Sequence, residues 1–318
     1  MPEVLLSLLI IIRTTYLKNM EKYESIKKSI KGNLRRNVSL KNYNTWKVGG
    51  MAEYFFEPFD LNELIFFLEN TKDINITFLG NGSNVLIRDG GIKGCVICLK
   101  ETLKEYEILK DGIQTFQAGF PCMKIAQLTA KSGYGGLEFL CGIPGSLGGA
   151  LAMNAGCYGG NVWEKVIKVL LINKSGKLIE KSKNDFIIGY RNVNLEDGNF
   201  FISATFQLEK NKLNNSQDII KNYLKDRRSK QPTGQPSCGS VFKNPDNFHA
   251  ANLIDSLGLK GFKIGGAYVS KKHANFIISE KNTSSEDIEK LINHIQKKVY
   301  KEKKVFLETE VKFVGNDQ

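Results

Sequence analysis

Apolar and polar positions along the chain fall into blocks, and each block predicts an element. A Lys-rich stretch over residues 19–31 reads as a helical lead, and the pattern changes at Asn44. Residues 52–58, carrying Tyr54, Phe55 and Phe56, read as a strand. Asp60-Leu61-Asn62-Glu63 has the form of a capping box, ahead of Leu64, Ile65, Phe67 and Leu68 at helical spacing. A strand at 76–79 runs into Gly80-Asn81-Gly82-Ser83-Asn84, and 85–87 form another. Pro121 stands where a helix's first turn tolerates it, Ile125, Ala126, Leu128 and Thr129 make a helical stripe, and Gly133 closes that helix. Strands follow at 166–172 and 200–208. Ile219, Ile220, Tyr223 and Leu224 mark a helix ending before Gln231-Pro232, and 250–257 a shorter one closed by Gly258. Thr283-Ser284-Ser285-Glu286 predicts a capping box for the helix bearing Ile288, Leu291, Ile292, Ile295 and Val299. The last predicted strand, 305–314, puts Leu307, Thr309, Val311 and Phe313 on one face and Glu308, Glu310 and Lys312 on the other, which by itself sends Glu310 to solvent.

This mixture predicts an α/β or α+β unit over 41–100, a second unit over 101–210 and a third over 211–318, after a lead of 1–40. Such a division suits 318 residues. With 42% hydrophobic and 25% charged residues, the chain is composed like a soluble protein with a core. The apolar run 4–12 is too short to span a bilayer and lacks a basic start and a clear small-residue cleavage site, so it is not expected to be a membrane span or a signal peptide. Met20 is a second candidate initiator. The net charge of +12 comes from scattered basic residues without interleaved aromatics. That pattern fits a solvated surface and small anionic ligands rather than nucleic acid. Of the six cysteines, Cys95 and Cys98 sit three apart on a predicted strand and so face opposite ways. Reduced, buried thiols are expected, and no His, Cys and carboxylate set has metal-site spacing.

The glycine turns are the first candidates for chemistry. Gly80-Asn81-Gly82-Ser83-Asn84 begins like a dinucleotide fingerprint, but Val85 occupies the third glycine's place, so the fingerprint fails. Its consecutive amides suit a pyrophosphate, but read alone the segment is a plain β-turn before it is a phosphate loop. Gly142-Ile143-Pro144-Gly145-Ser146-Leu147-Gly148-Gly149 offers backbone amides, with Ser146 and Asn154 as side-chain donors and acceptors. No Gly-Lys-Ser/Thr follows, so it is not an NTPase loop, while a structural glycine loop stays open. Ser240 is not in a nucleophile elbow, because position 242 is Phe. Lys230, Lys243 and Asn244 near it suit phosphate or carboxylate recognition. Taken singly, Tyr190-Arg191 reads as surface or structural, His273 as surface or anion-facing, and His249 and His294 as structural.

Read together and in order, these segments resemble the UDP-N-acetylenolpyruvoylglucosamine reductase family. The matching pieces are Asn44-Thr45-Trp46-Lys47-Val48-Gly49-Gly50, residues 80–84, Gly136-Leu137-Glu138-Phe139-Leu140, residues 142–149, Met153-Asn154-Ala155-Gly156, Tyr190-Arg191, and residues 239–245, 269–275 and 307–311. The resemblance implies an α+β protein: an FAD-binding fold of the PCMH or vanillyl-alcohol-oxidase type in two subdomains, plus a C-terminal α/β substrate domain whose last strand returns toward the active site. It implies FAD contacts at Gly80, Asn81, Gly82, Ser83 and Asn84, and at Gly142, Ile143, Pro144, Gly145, Ser146, Gly148, Gly149 and Asn154. It makes Ser240 the proton donor, with Arg191 and Glu310 the other catalytic residues, and puts Tyr190, Lys230, Asn244 and His273 on the substrate. The short span from Arg191 to Lys230 resembles the branch without a Tyr-bearing lid loop.

The implied activity is cytoplasmic, NADPH-dependent reduction of UDP-N-acetylglucosamine enolpyruvate to UDP-N-acetylmuramate for peptidoglycan. Hydride reaches C3 by way of FAD and a proton reaches C2 from Ser240; no metal, nucleic acid or membrane takes part. The residue types suit that chemistry. Arg191 is a forked donor for a developing enolate. Glu310 helps if burial keeps it neutral and donating, and a serine hydroxyl delivers a proton if held at ~3 Å. The alternative is another FAD-dependent oxidoreductase or oxidase of the same fold. A covalently attached flavin would need His or Cys, and residues 142–156 hold cysteines but no His.

Overall fold

The computed structural model describes residues 23–317. The apolar run 4–12, Met20 and the start of the helical lead lie outside the described residues; within them, 23–29 are helical and bury Tyr23 and Ile26.

Strands β1 (Asn33–Ser39) and β2 (Met51–Glu57) pair antiparallel. Helix α1 (Leu61–Asn70) then carries the chain to β3 (Ile76–Leu79), followed by β4 (Val85–Ile87) and β5 (Ile92–Cys98). β5 lies between β2 and β3 and is parallel to both. Asp60 caps α1 by accepting the Glu63 amide at 2.8 Å. The predicted box is only half formed, because the Glu63 carboxylate accepts from Gly32 and Phe59 instead, anchoring the incoming β1. Along β5, Cys95 packs with Phe56 and Phe67 and Cys98 with Phe55 and Val96, the opposite faces that a period of two demands. Burial pushes the Cys98 thiol up to about 11.

The second sheet is antiparallel. It is built from β6 (Tyr106–Ile108), β7 (Ile113–Gln117), β8 (Val166–Asn173), β9 (Leu178–Ser182) and β10 (Asn199–Gln207), in the order β9-β8-β10-β7-β6. Helices α2 (Cys122–Lys131), α3 (Leu147–Ala152) and α4 (Ser216–Lys230) contribute Ile125, Leu151 and Ile220 to its core, around Phe116, Trp163 and Phe206.

The C-terminal part holds α5 (Ala250–Ser256), the small sheet β11 (Lys263–Ile264), β12 (Ala267–Val269) and β13 (Ile277–Ser279), helix α6 (Ser285–Lys303) and β14 (Lys312–Val314). The capping box of α6 lies one residue later than predicted, between Ser284 and Asp287. Thr283 instead turns its hydroxyl proton to the carbonyls of Gly266 and Glu280, which share it between them. Trp46 belongs to this core: its indole donates to Ile277 O at 2.8 Å, and Ser279 Oγ donates to Trp46 O.

The predicted strand 305–314 is a regular strand only over β14, which pairs parallel with β4. Before it stands one isolated bridge, Phe242 to Thr309. The amides of Glu310 and Val311 both point at Val241 O, at 2.8 and 3.4 Å. Two successive amides on one carbonyl bend the chain, and the bend takes Glu310 out of the solvent-facing series.

Candidate active site

Tyr190 and Arg191 form the two-residue turn between the short strands Ile188–Gly189 and Asn192–Val193. Arg191 has φ 53°, a left-handed conformation that strains a side chain of this kind, so its surroundings must hold it. They do so with three hydrogen bonds: Nε to Glu310 Oε1 at 2.8 Å, Nη2 to Gly156 O at 2.6 Å and Nη1 to Asn154 O at 3.4 Å. The guanidinium also lies 5.0 Å from the Tyr190 ring centre. The Glu310 side chain is only 12% exposed. Burial holds its carboxyl above the usual range, and Arg191 pulls the other way.

Ser240 sits on the segment whose next residue, Val241, carries the shared carbonyl of the Glu310 bend. Ser240, Arg191 and Glu310 accordingly line one cavity of about 190 Å³, together with Asn84, Met153 and Phe276. Asn84 ties the first glycine turn to this group by donating to Glu310 O at 3.1 Å.

The two glycine turns face each other. A Cβ on Gly80 would stand 2.4 Å from Ser146 Oγ, and one on Gly145 would stand 3.2 Å from Ser83 Oγ. They form a cradle that side chains would fill, and its donors and shape fit the pyrophosphate and ring edge of FAD. Not every amide there is open to a ligand. Leu147 N donates to Phe120 O and Gly148 N to Ala118 O, so Gly148 packs α3 onto the chain at Ala118. Gly82, at φ 62°, turns against Tyr43 and Asn44. Ser83, Gly142, Ile143 and Pro144 border the same cavity as Ser240, whereas Asn81 borders an adjoining one of about 500 Å³ with Lys47 and Lys100. The Asn154 side chain donates to Gly189 O at 2.9 Å.

The residues expected on the substrate are not gathered at the cavity of Ser240. Asn244 Oδ1 caps α5 through Ala250 N, while Asn244 N reaches the half-exposed Tyr190 hydroxyl at 3.4 Å. Lys230 pairs with Asp226 at 2.7 Å. Lys230 and His273 line a third, open cavity of about 850 Å³. His273 Nδ1 accepts the Asn275 amide at 3.3 Å, and burial lowers its pKa, with Lys260 adding to the effect. Sequence reasoning missed Arg227 and Gln231, which border all three cavities and touch through Arg227 Nε and Gln231 Oε1 at 3.1 Å. Their only sequence signal is a place at the end of α4, just before Pro232. It also missed Tyr158, stacked on Tyr223 at 4.0 Å beside the third cavity. Among the described residues, no group of three or more His, Cys, Asp or Glu is placed to hold a metal, and no helix is long and apolar enough to cross a membrane.

The family model for the UDP-N-acetylenolpyruvoylglucosamine reductase C-terminal domain matches residues 231–314, and that for an FAD binding domain matches residues 52–182. A UDP-N-acetylenolpyruvoylglucosamine reductase of Methylococcus capsulatus is 44% identical over 280 residues, covering 88% of this chain and 92% of that protein. One from Legionella pneumophila is 43% identical over 287 residues, covering 90% and 93%. The solved structure of UDP-N-acetylenolpyruvylglucosamine reductase from Thermus caldophilus matches with a TM-score of 0.77 at 30% identity, over 89% of this chain and all of that one.

Proposed function

The chain belongs to the UDP-N-acetylenolpyruvoylglucosamine reductase family, an FAD-dependent oxidoreductase of peptidoglycan precursor synthesis, and from that premise we propose how its residues divide the reaction. The reactants are NADPH and UDP-N-acetylglucosamine enolpyruvate, both at home in the cytoplasm. The turns at 80–84 and 142–149 would hold FAD, which when bound supplies hydride chemistry for C3 of the enolpyruvyl group. Arg191, already fixed by Glu310 and two carbonyls, turns its remaining N–H groups on the substrate carboxylate as enolate charge develops. Glu310, buried beside it, acts as a neutral donor to the same charge. Ser240 gives its hydroxyl proton to C2, completing the lactyl ether.

Residues 41–100 and 101–210 form the two halves of the flavin unit and 211–318 the substrate unit. The shorter-branch reading is supported by the span between Arg191 and Lys230, which β10 and α4 largely use up. Lys230, Asn244, Tyr190 and His273 then meet the substrate's outer part, and Arg227, which borders all three cavities, joins them.

The convergence of Ser240, Arg191 and Glu310 on one cavity beside the glycine cradle carries this reading. Its test is Ser240→Ala, followed through both half-reactions by flavin absorbance. NADPH should still bleach the flavin at the wild-type rate, while reoxidation by the enolpyruvyl substrate slows by about 10²–10⁴-fold. Equal losses in the two halves would remove Ser240 as the proton donor.

A further inference from the structure

Helix α3 ends in two tight bonds, Asn154 N to Leu151 O at 3.2 Å and Ala155 N to Ala150 O at 2.8 Å, with Asn154 at φ 44°. This is the left-handed stop that closes many helices, and glycine ordinarily fills it because it adopts that conformation without strain. Asparagine tolerates that conformation at a steric cost that glycine escapes, and its side chain makes a contact that glycine cannot. That side chain is buried, at 7% exposure, and Nδ2 donates to Gly189 O at 2.9 Å. A carbonyl accepts only from a donor, so the orientation of the amide is fixed. The same short segment also receives the guanidinium on the other side of the turn, through Asn154 O and Gly156 O.

We infer that Asn154 is a positioning residue for Arg191: its side-chain amide pins the Gly189 end of the Tyr190-Arg191 turn to the end of α3, while the carbonyls of 154 and 156 hold the guanidinium. The inference rests on the role proposed above for Arg191. It reassigns the donor of Asn154 from the cofactor to the turn. Asn154 Oδ1 is buried without a protein partner, which gives the two roles opposite signatures.

The test uses purified holoprotein. Asn154→Gly keeps the left-handed backbone and both carbonyls and removes only the amide. Asn154→Asp keeps an oxygen at Oδ1 but sets an acceptor against Gly189 O. Each is also combined with Arg191→Lys. Flavin affinity is measured by fluorescence titration, and single-turnover reoxidation by substrate is followed across pH. Flavin affinity should be unchanged, and both single variants should reoxidise about tenfold to a hundredfold more slowly, the scale of a misplaced catalytic group. The Asp variant should recover as pH falls and its carboxyl regains a donor. The combined variants should be no slower than Arg191→Lys alone.

A wild-type rate in Asn154→Gly overturns the inference. So does flavin affinity lost in Gly but kept in Asp, which would make Asn154 a cofactor contact through Oδ1. Losses that multiply in the combined variants, with Arg191→Lys itself slow, overturn the inference and leave the proposed role of Arg191 standing. A wild-type rate in Arg191→Lys overturns both this inference and the proposed role of Arg191.

Discussion

Replacing Glu310 by Gln asks whether the carboxyl works as a neutral donor or as a charge. Glu310 Oε1 accepts Arg191 Nε at 2.8 Å, with side chains 12% and 17% exposed. A hydrogen bond to a charged group contributes about 1.5–3 kcal/mol, and a Gln carbonyl can accept the same N–H. Removing the partner outright, as in Glu310→Ala, leaves a mostly buried guanidinium without its carboxyl partner and held by the carbonyls of Asn154 and Gly156, which costs up to about 3–5 kcal/mol. A cost of that size felt in the transition state, at about 1.4 kcal/mol per factor of ten, slows the Ala variant about 10²–10⁴-fold, while the Gln variant should stay within about tenfold of wild type.

The pH dependence separates the two roles further. Burial raises the Glu310 pKa above its usual value, so the native protein keeps this proton to higher pH than the unfolded chain. The stability from this group is therefore complete below the ordinary carboxylate pKa and is lost as pH rises through the raised one. If the neutral form donates, wild-type turnover falls over that same window, and Glu310→Gln removes the fall. Steady-state kcat across pH for the three proteins decides it. A Gln variant as slow as Ala, or one that keeps the alkaline fall, would refute the neutral-donor role.

Two substitutions probe the frame around the site. A Cβ on Gly82 would stand 2.1 Å from Tyr43 O and 2.6 Å from Asn44 Cα, with φ already at 62°. Gly82→Ala should therefore displace the turn, and purified protein should lose its flavin absorbance; a yellow protein of normal flavin content would contradict the cradle. Trp46→Phe removes the donor to Ile277 O and opens a cavity in a fully buried site. It should lower stability by about 2–4 kcal/mol in denaturant titration, and a loss below about 1 kcal/mol would mean that Trp46 is not the anchor drawn above.

The chain's own pattern determined most of the local structure. The α1 stripe, the faces of Cys95 and Cys98, the closures at Gly133 and Gly258 and the apolar seam of α6 all follow from periods of two and 3.6 and from cap chemistry, which neighbouring residues settle among themselves. The ordered motifs also sufficed to identify the family. Three things were decided only by tertiary structure. Glu310 reads as solvent-facing because strict alternation puts it opposite Leu307 and Val311; two amides sharing Val241 O bend the chain and deliver it to Arg191, 119 residues away. Trp46 reads with the N-terminal unit, yet its indole proton goes to Ile277, 231 residues on. Arg227 and Gln231 look like an ordinary helix end until three cavities meet there. Periodicity encodes which face of an element is buried, but which face it meets depends on long-range pairing, and the candidate site is made of such meetings.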